Sequence, residues 1–395
     1  MKQLLAIFLL FGTIGATAQV SKKKMLKIAD ESLAFSVKQY KHMMDSLPPN
    51  VLPRTTNAKT GRLETSNTSW WCSGFYPGTL WYLYEFSNDE KVKAEAVRTM
   101  ELVEKEKNNK GTHDLGFMMY CSWGPQYNMY KDERAKEVLL TSARSLSTRF
   151  NPTVGCIKSW DHGKWKFPVI IDNMMNLELL FWATKISGDT SFRHIAVTHA
   201  NTTIKNHFRP DYSSFHVIDY NPETGAVNEK KTAQGFNDAS SWARGQAWGL
   251  YGYTVMFRET KSKVYLDQAV HIAEYMLNHP SMPADMIPYW DYNAPEIPNA
   301  VRDASAASIT ASALLELSTY VPKKAAVKYK NAATKMLVSL SSPAYRAKEG
   351  QNNNFILMHS TGHKMANSEV DVPLTYADYY YVEALMRYKQ MEGKK

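Results

Sequence analysis

Five times along this chain, a run rich in aromatic and small side chains and lacking a polar face leads across a short polar turn into a second run with its charges on one side. Residues 74–86 turn at Asn88-Asp89 into 90–107, and 115–129 turn at Lys131-Asp132 into 133–150. The form recurs in 173–186 with 191–208, in 242–259 with 264–278, and in 304–320 with 323–340. A helix without a polar face has to be covered all round, whereas an amphipathic helix can leave one side in water. The first member of each pair therefore belongs inside and the second outside. Helical stretches around 21–45 and 377–390 bring the set to twelve helices, or six pairs. The expected fold is all-α, an (α/α)6 barrel in which six hairpins close into a toroid, with a short β-hairpin in a loop (215–219 with 227–232, around Pro222-Glu223-Thr224-Gly225). An open α-solenoid is the alternative. The long irregular loops before each inner helix favour the ring, with one functional end.

The chain begins with Met1-Lys2-Gln3, an apolar run over 4–11 and then Ala16-Thr17-Ala18-Gln19. A basic start, an apolar stretch too short to span a bilayer and an Ala-x-Ala site describe a signal peptide over 1–18, cleaved after Ala18. The remaining 19–395 are expected to form a single catalytic domain in a periplasmic or secreted protein, and 44% hydrophobic residues supply an ample core. No later segment is apolar enough to span a membrane. Cys72, Cys121 and Cys156 lack metal-ligand spacing and read as buried small side chains. The net charge of +9 is compatible with an acidic saccharide, although runs such as Lys22-Lys23-Lys24 read as solvated. No nucleic-acid partner is expected, and nothing in the chain bears on oligomeric state.

The loops that open the inner helices carry the candidate chemistry. Asp114, in Gly111-Thr112-His113-Asp114-Leu115, and Asp172, in Ile170-Ile171-Asp172-Asn173, are lone carboxylates heading apolar runs. Each can be read as a helix N-cap, which aspartate does well. Their company, His113 and Trp165, argues instead for a shared site. A later stretch, Ser240 to Tyr253, places Arg244 and Trp248 one turn apart on a helix capped by Ser240 or Ser241, with Gly245, Gly249 and Gly252 on the adjoining stripe. Glycine costs about 1 kcal/mol per interior helix position, so close approach of another helix or of a ligand is implied. Two carboxylates under aromatic walls suit glycosidic chemistry. Arg244 suits the planar carboxylate of a uronic acid.

Four motifs carry a resemblance: Ser241-Trp242-Ala243-Arg244-Gly245-Gln246-Ala247-Trp248-Gly249, His113-Asp114-Leu115-Gly116-Phe117, Asp172-Asn173-Met174-Met175-Asn176-Leu177 and Tyr376-Ala377-Asp378-Tyr379-Tyr380. Together they resemble the unsaturated glucuronyl hydrolases, glycoside hydrolase family 88, over essentially the whole mature chain. The resemblance implies an (α/α)6 barrel that releases the Δ4,5-unsaturated uronic acid left by polysaccharide lyases at the non-reducing end of oligosaccharides. By position it implies Asp172 as general acid and base, Asp114 as the second essential carboxylate, and Trp71, His113, His216, Gln234, Arg244 and Trp248 as pocket residues, with Tyr376 from the C-terminal motif. Trp160 or Trp165 would add a wall. Ser360, in Ser360-Thr361-Gly362-His363-Lys364, fits only partly a loop with which some members read a sulfated neighbouring sugar.

The implied chemistry protonates C4 of an enol ether, so that water attacks an oxocarbenium-like C5 and the hemiketal opens to expel the next sugar. Asp172 delivers the proton, which calls for a raised pKa from burial and from Asp114. No cofactor and no metal are expected. Three rival readings are an unsaturated rhamnogalacturonyl hydrolase, an inverting glycosidase acting on saturated glycans, and a non-catalytic envelope glycan-binding protein.

Overall fold

The computed structural model describes residues 20–393, so the expected signal peptide lies outside the described residues. Twelve α-helices follow in chain order among them: α1 (Lys22–Ser46), α2 (Phe75–Ser87), α3 (Glu90–Val103), α4 (Cys121–Tyr130), α5 (Glu133–Ser147), α6 (Leu177–Ser187), α7 (Thr190–His207), α8 (Ala243–Thr260), α9 (Lys263–Asn278), α10 (Ala304–Leu317), α11 (Lys323–Leu340) and α12 (Thr375–Glu392). The even-numbered helices are the inner ones. Contacts run from α2 to α4, from the helical turn Gly116–Tyr120 that opens α4 to α6, on through α8 to α10 and α12, and from α12 back to α2, which closes the ring. The fold is an (α/α)6 barrel. Helix α8 is buried from Ala243 through Met256, and α10 from Ala304 through Leu315, in keeping with helices that lack a polar face.

The two ends of this barrel are built differently. Four inner helices pass to their outer partners through turns with a single left-handed residue, Asn88, Lys131, Gly188 or Lys261, followed by Asp89, Asp132, Asp189 or Ser262 at the next N-cap, and α10 passes to α11 through a turn that ends at the N-cap Pro322. Every strand among the described residues lies in the opposite connections, from outer helix to inner: β1 (Leu52–Thr56) with β2 (Leu63–Ser66), β3 (Phe150–Asn151) with β4 (Cys156–Ile157), β5 (Pro168–Ile170) with β6 (Val217–Tyr220) and β7 (Val227–Lys231), and β8 (Ser360–His363) with β9 (Ser368–Val372). The sequence reading expected only the hairpin β6–β7. It is part of a three-stranded antiparallel sheet in which Val169 pairs with Ile218. A strand of three wholly buried residues such as β5 has no alternation to reveal it.

No helix among the described residues is long and apolar enough to cross a membrane. The three cysteines are free, with Cys72 and Cys156 buried and Cys121 half-buried.

Candidate active site

Asp172 stands where β5 passes into a turn of 3-10 helix (Ile171–Asn176) that leads into α6. The turn is held from three sides. The Ile171 amide donates to His216 O at 3.1 Å, Asn173 Nδ2 donates to Ile157 O at 2.8 Å, and Asn176 Oδ1 accepts the Phe117 amide at 3.0 Å. A Cβ on Gly252 would lie 2.5 Å from Met174 Cβ, and one on Gly116 would lie 2.5 Å from Asn176 Cα. Glycine is needed on α8 because the segment bearing Asp172 packs directly against it. Gly249 meets only ordinary van der Waals neighbours.

Neither carboxylate is a cap. The 3-10 turn and the π-helical turn Gly116–Tyr120 that opens α4 both begin without a side-chain cap. Nor does Ser240 or Ser241 cap α8, whose N-cap is Trp242; the single hydroxyl hydrogen of Ser240 is instead shared between Asp291 Oδ2, at 2.7 Å, and Asn237 O, at 2.9 Å. Asp114 and Asp172 are each paired with a histidine. His113 Nε2 lies 3.3 Å from Asp114 Oδ1, and Thr112 Oγ1 donates to Oδ2 at 2.7 Å. His216 Nε2 lies 3.6 Å from Asp172 Oδ2, and neither of these two buried atoms has a hydrogen-bond partner in the protein.

Burial pushes the Asp114 carboxyl above its ordinary value, His113 and Thr112 oppose that, and the Asp172 charge adds to it. Burial pushes Asp172 the same way, but His216, His113 and Arg244 together outweigh it and hold the carboxyl below its ordinary value. The expected elevation of Asp172 is thus reversed, because His216, His113 and Arg244 outweigh its burial.

Arg244 is 1% exposed. Its Nη1 donates to Asp303 Oδ2 at 3.1 Å and to Thr361 O, its Nη2 donates to Gly362 O at 2.6 Å, and its guanidinium lies 4.5 Å from the Trp242 ring centroid and 5.3 Å from that of Tyr376. Three of its five N–H groups are thereby engaged within the protein. Trp71 joins the same wall, 4.8 Å from Tyr376, whose buried hydroxyl has no protein partner. Trp160 and Trp165 pack on each other at 5.8 Å, and the indole N–H of Trp165 is tied to Glu229 on β7.

The structure places the other three expected sugar contacts as follows. Trp248 is wholly buried between Phe117 and Tyr380 and supports the floor of the site. Ser360 is wholly buried at the head of β8. Gln234 donates its side-chain amide to Gly362 O at 2.9 Å and so braces one loop against another. Asp303 went unnoticed in the sequence. It caps α10 through the Ser305 amide (3.0 Å) and is also the counter-ion of Arg244. Asp303 before an apolar run reads as a cap, and nothing local shows that it faces an arginine 59 residues away.

Glycosidases work with paired carboxyl groups beneath aromatic walls, and this barrel brings two buried carboxyls and such a wall together at the end where its long loops meet. Comparison with known proteins gives the same class and narrows it. An unsaturated glucuronyl hydrolase of Formosa agariphila is 49% identical over 341 residues, covering 86% of this chain and 84% of the relative. An unsaturated chondroitin disaccharide hydrolase of Streptococcus agalactiae is 34% identical over 330 residues, covering 82% of each. The crystal structure of an unsaturated glucuronyl hydrolase specific for heparin superposes with a TM-score of 0.91 at 47% identity, covering 93% of this chain and 98% of that one. No family model matches the chain. The protein is a glycoside hydrolase. It belongs to the unsaturated glucuronyl hydrolases, and the three rival readings fall away.

Proposed function

We propose that this enzyme removes the Δ4,5-unsaturated uronic acid from the non-reducing end of lyase-generated glycosaminoglycan fragments, with Asp172 as the acid and base. The observation that carries this reading is the Asp172 carboxyl itself, buried, faced by His216 and with one oxygen lacking any protein partner. The carboxyl proton goes to C4 and the C4–C5 π pair forms the new C–H bond. The ring oxygen shares the positive charge left at C5. The Asp172 carboxylate then takes a proton from water as its oxygen bonds to C5, which restores the acid. The C5 hemiketal opens, leaving a hemiacetal at C1 that breaks down to an aldehyde and frees the next sugar. The two N–H groups of Arg244 not engaged by the protein and the Tyr376 hydroxyl are the donors for the uronate carboxylate. That incoming negative charge raises the affinity of Asp172 for its proton, opposing the depression set by His216, His113 and Arg244.

Among glycosaminoglycans, heparin-type fragments are the proposed substrates, supported by 47% identity to the heparin-specific enzyme against 34% to the chondroitin disaccharide hydrolase. The test is a panel of unsaturated disaccharides from heparin and from chondroitin, followed by the ultraviolet absorbance of the double bond in heavy-isotope water. Absorbance should fall faster with the heparin series, and the product should carry deuterium at C4. Preference for chondroitin disaccharides would overturn the substrate assignment, and product without that deuterium would overturn the mechanism. The proposed export rests on the Ala16-Thr17-Ala18 site. N-terminal sequencing of the mature protein should begin at Gln19, and retention of Met1 would refute it.

A further inference from the structure

His216 precedes β6, and its ring is oriented by two backbone amides. The N–H groups of Ala233 and Gln234 both reach its Nδ1, at 3.1 and 3.2 Å. A hydroxyl or a side-chain amide in their place could turn round and accept. A backbone N–H can only donate, so Nδ1 meets both of them with its lone pair and carries no proton. The ring proton is then on Nε2, the nitrogen that faces Asp172 Oδ2. We infer that the turn 232–235 is a tautomer lock, which keeps His216 a neutral N–H donor toward Asp172 and leaves the other carboxyl oxygen, Oδ1, to carry the catalytic proton. An N–H aimed at Oδ2 favours that oxygen as acceptor, so a protonated Asp172 carries its hydrogen on Oδ1. The separation of 3.6 Å is of the kind that tightens when substrate completes a site.

The surroundings of the ring reinforce the lock. On the α8 side it packs on Trp242, at 4.5 Å, and Arg244 lies at the same distance from that indole. From α7 comes His207, kept neutral by burial, and from β8 comes His363, also lowered by burial, whose Nε2 donates to Ala233 O at 2.8 Å. Asp172 is the carboxylate facing the ring. The turn is itself fastened: the Gly235 amide donates to Thr232 Oγ1 at 2.8 Å, and Gln234 Nε2 donates to Gly362 O. Gly362 O also receives Arg244, so one anchor on β8 holds both the uronate-binding arginine and the turn that sets the tautomer of His216. Chemically, the lock matters because an imidazolium beside Asp172 would keep it ionised, and a neutral N–H donor does so far less. Ala233 and Gln234 are positioning residues in this scheme, acting through His216.

This inference rests on Asp172 as the proton donor, and nitrogen NMR of the whole enzyme labelled at histidine tests it independently of turnover. With His216→Gln used to assign the signals, the Nδ1 resonance of His216 should be that of an unprotonated nitrogen and Nε2 that of a protonated one. His216→Gln retains a neutral N–H donor and should stay within about tenfold of the parental kcat with its acid limb unmoved, whereas His216→Leu should lose about 10²-fold or more. A proton on Nδ1, or equal impairment of folded Gln and Leu variants, would overturn the lock. Parental turnover in Asp172→Asn with the nitrogen pattern intact would refute the acid assignment and leave the tautomer assignment standing.

Discussion

The two ends of the barrel handle buried charge in opposite ways. At the end with short turns, Arg258 on α8 and Arg387 on α12 tie Glu178 of α6, Glu259 of α8, Glu316 of α10 and Glu383 of α12 into one network. Glu383 also accepts the hydroxyls of Tyr82 on α2 and Tyr251 on α8. Five of the six inner helices are joined there, around a cavity of about 360 Å³ lined by Tyr82, Glu178, Tyr251, Glu383 and Arg387. At the other end, Asp172 Oδ2, His216 Nε2, His113 Nδ1 and the Tyr376 hydroxyl are buried without protein partners. An unpaired buried polar group costs free energy, and a site tolerates that cost where a ligand will complete the pairing. One end therefore holds the helices in register, and the other is kept incomplete for chemistry.

The sharpest break in this comparison is Asp172→Asn. It should lower turnover of an unsaturated disaccharide by about 10²- to 10⁴-fold while the variant still folds, because an amide of the same size replaces the carboxyl. An unfolded variant would mean that the active end also carries the fold. Glu316→Gln should do the converse. It deprives two arginines of a shared carboxylate and should cost about 3 to 5 kcal/mol in urea unfolding, while kcat per folded molecule stays at the parental value. An unchanged unfolding curve would deny the network its structural role.

Arg244→Ala crosses the divide, because Arg244 is the proposed donor to the uronate as well as the ion-pair partner of Asp303. Losing it leaves Asp303 buried without its cation and should cost about 1.5 to 3 kcal/mol of stability in addition to activity. Adding Asp303→Asn should recover stability without recovering turnover, and a double variant no more stable than Arg244→Ala would show that the ion pair is not what was lost.

The smallest effect is read in pH. Burial works against ionised Glu316, but Arg387 and Arg258 bring its pKa down from 4.5 to about 2. Its folded value is below its unfolded one, so its contribution is present above about pH 4.5 and is lost as pH falls toward 2. Asp114 is raised by burial, so its contribution has the opposite sign and weakens as pH rises past its ordinary value. Urea unfolding across this range should show a shallower loss in acid for Glu316→Gln and a steeper one for Asp114→Asn. Superimposable profiles would mean that neither carboxyl is shifted as the structure implies.

Much of the barrel was legible, because a helix with no polar face announces its own burial and an amphipathic partner announces its side. Each inner helix starts within a few residues of where the apolar runs begin, even at 115–129 and 173–186, which open in π-helical and 3-10 turns. The strands other than β6 and β7 were not legible, since pieces of two to five residues in loops lack a pattern long enough to be told from turns. The capping readings of Asp114, Asp172 and Ser240 failed for a related reason. Capping chemistry is local, and these side chains are claimed by partners that are distant in sequence or by a neighbouring histidine. Asp378 shows the same limit from the other side. It lies within a motif shared with the family, yet it turns into the protein, accepts the Ile356 and Leu357 amides at 2.9 Å each, and is pushed up to about 7 by burial.

By itself the sequence determined the ring of hairpins, the end at which chemistry would gather and the residue types assembled there, because periodicity, glycine content and lone polar groups in apolar runs are properties of neighbours along the chain. The tertiary structure alone decided that Arg244 is shared with Asp303, that Trp248 lies under the site, and that Gln234 works as a brace. It also decided that the approach to Gly252 comes from the segment bearing Asp172, and that two backbone amides set the proton of His216. Each of these depends on which atoms of remote segments come within about 3 to 4 Å, the range over which hydrogen bonds and contacts act, and composition and spacing along the chain do not encode that geometry.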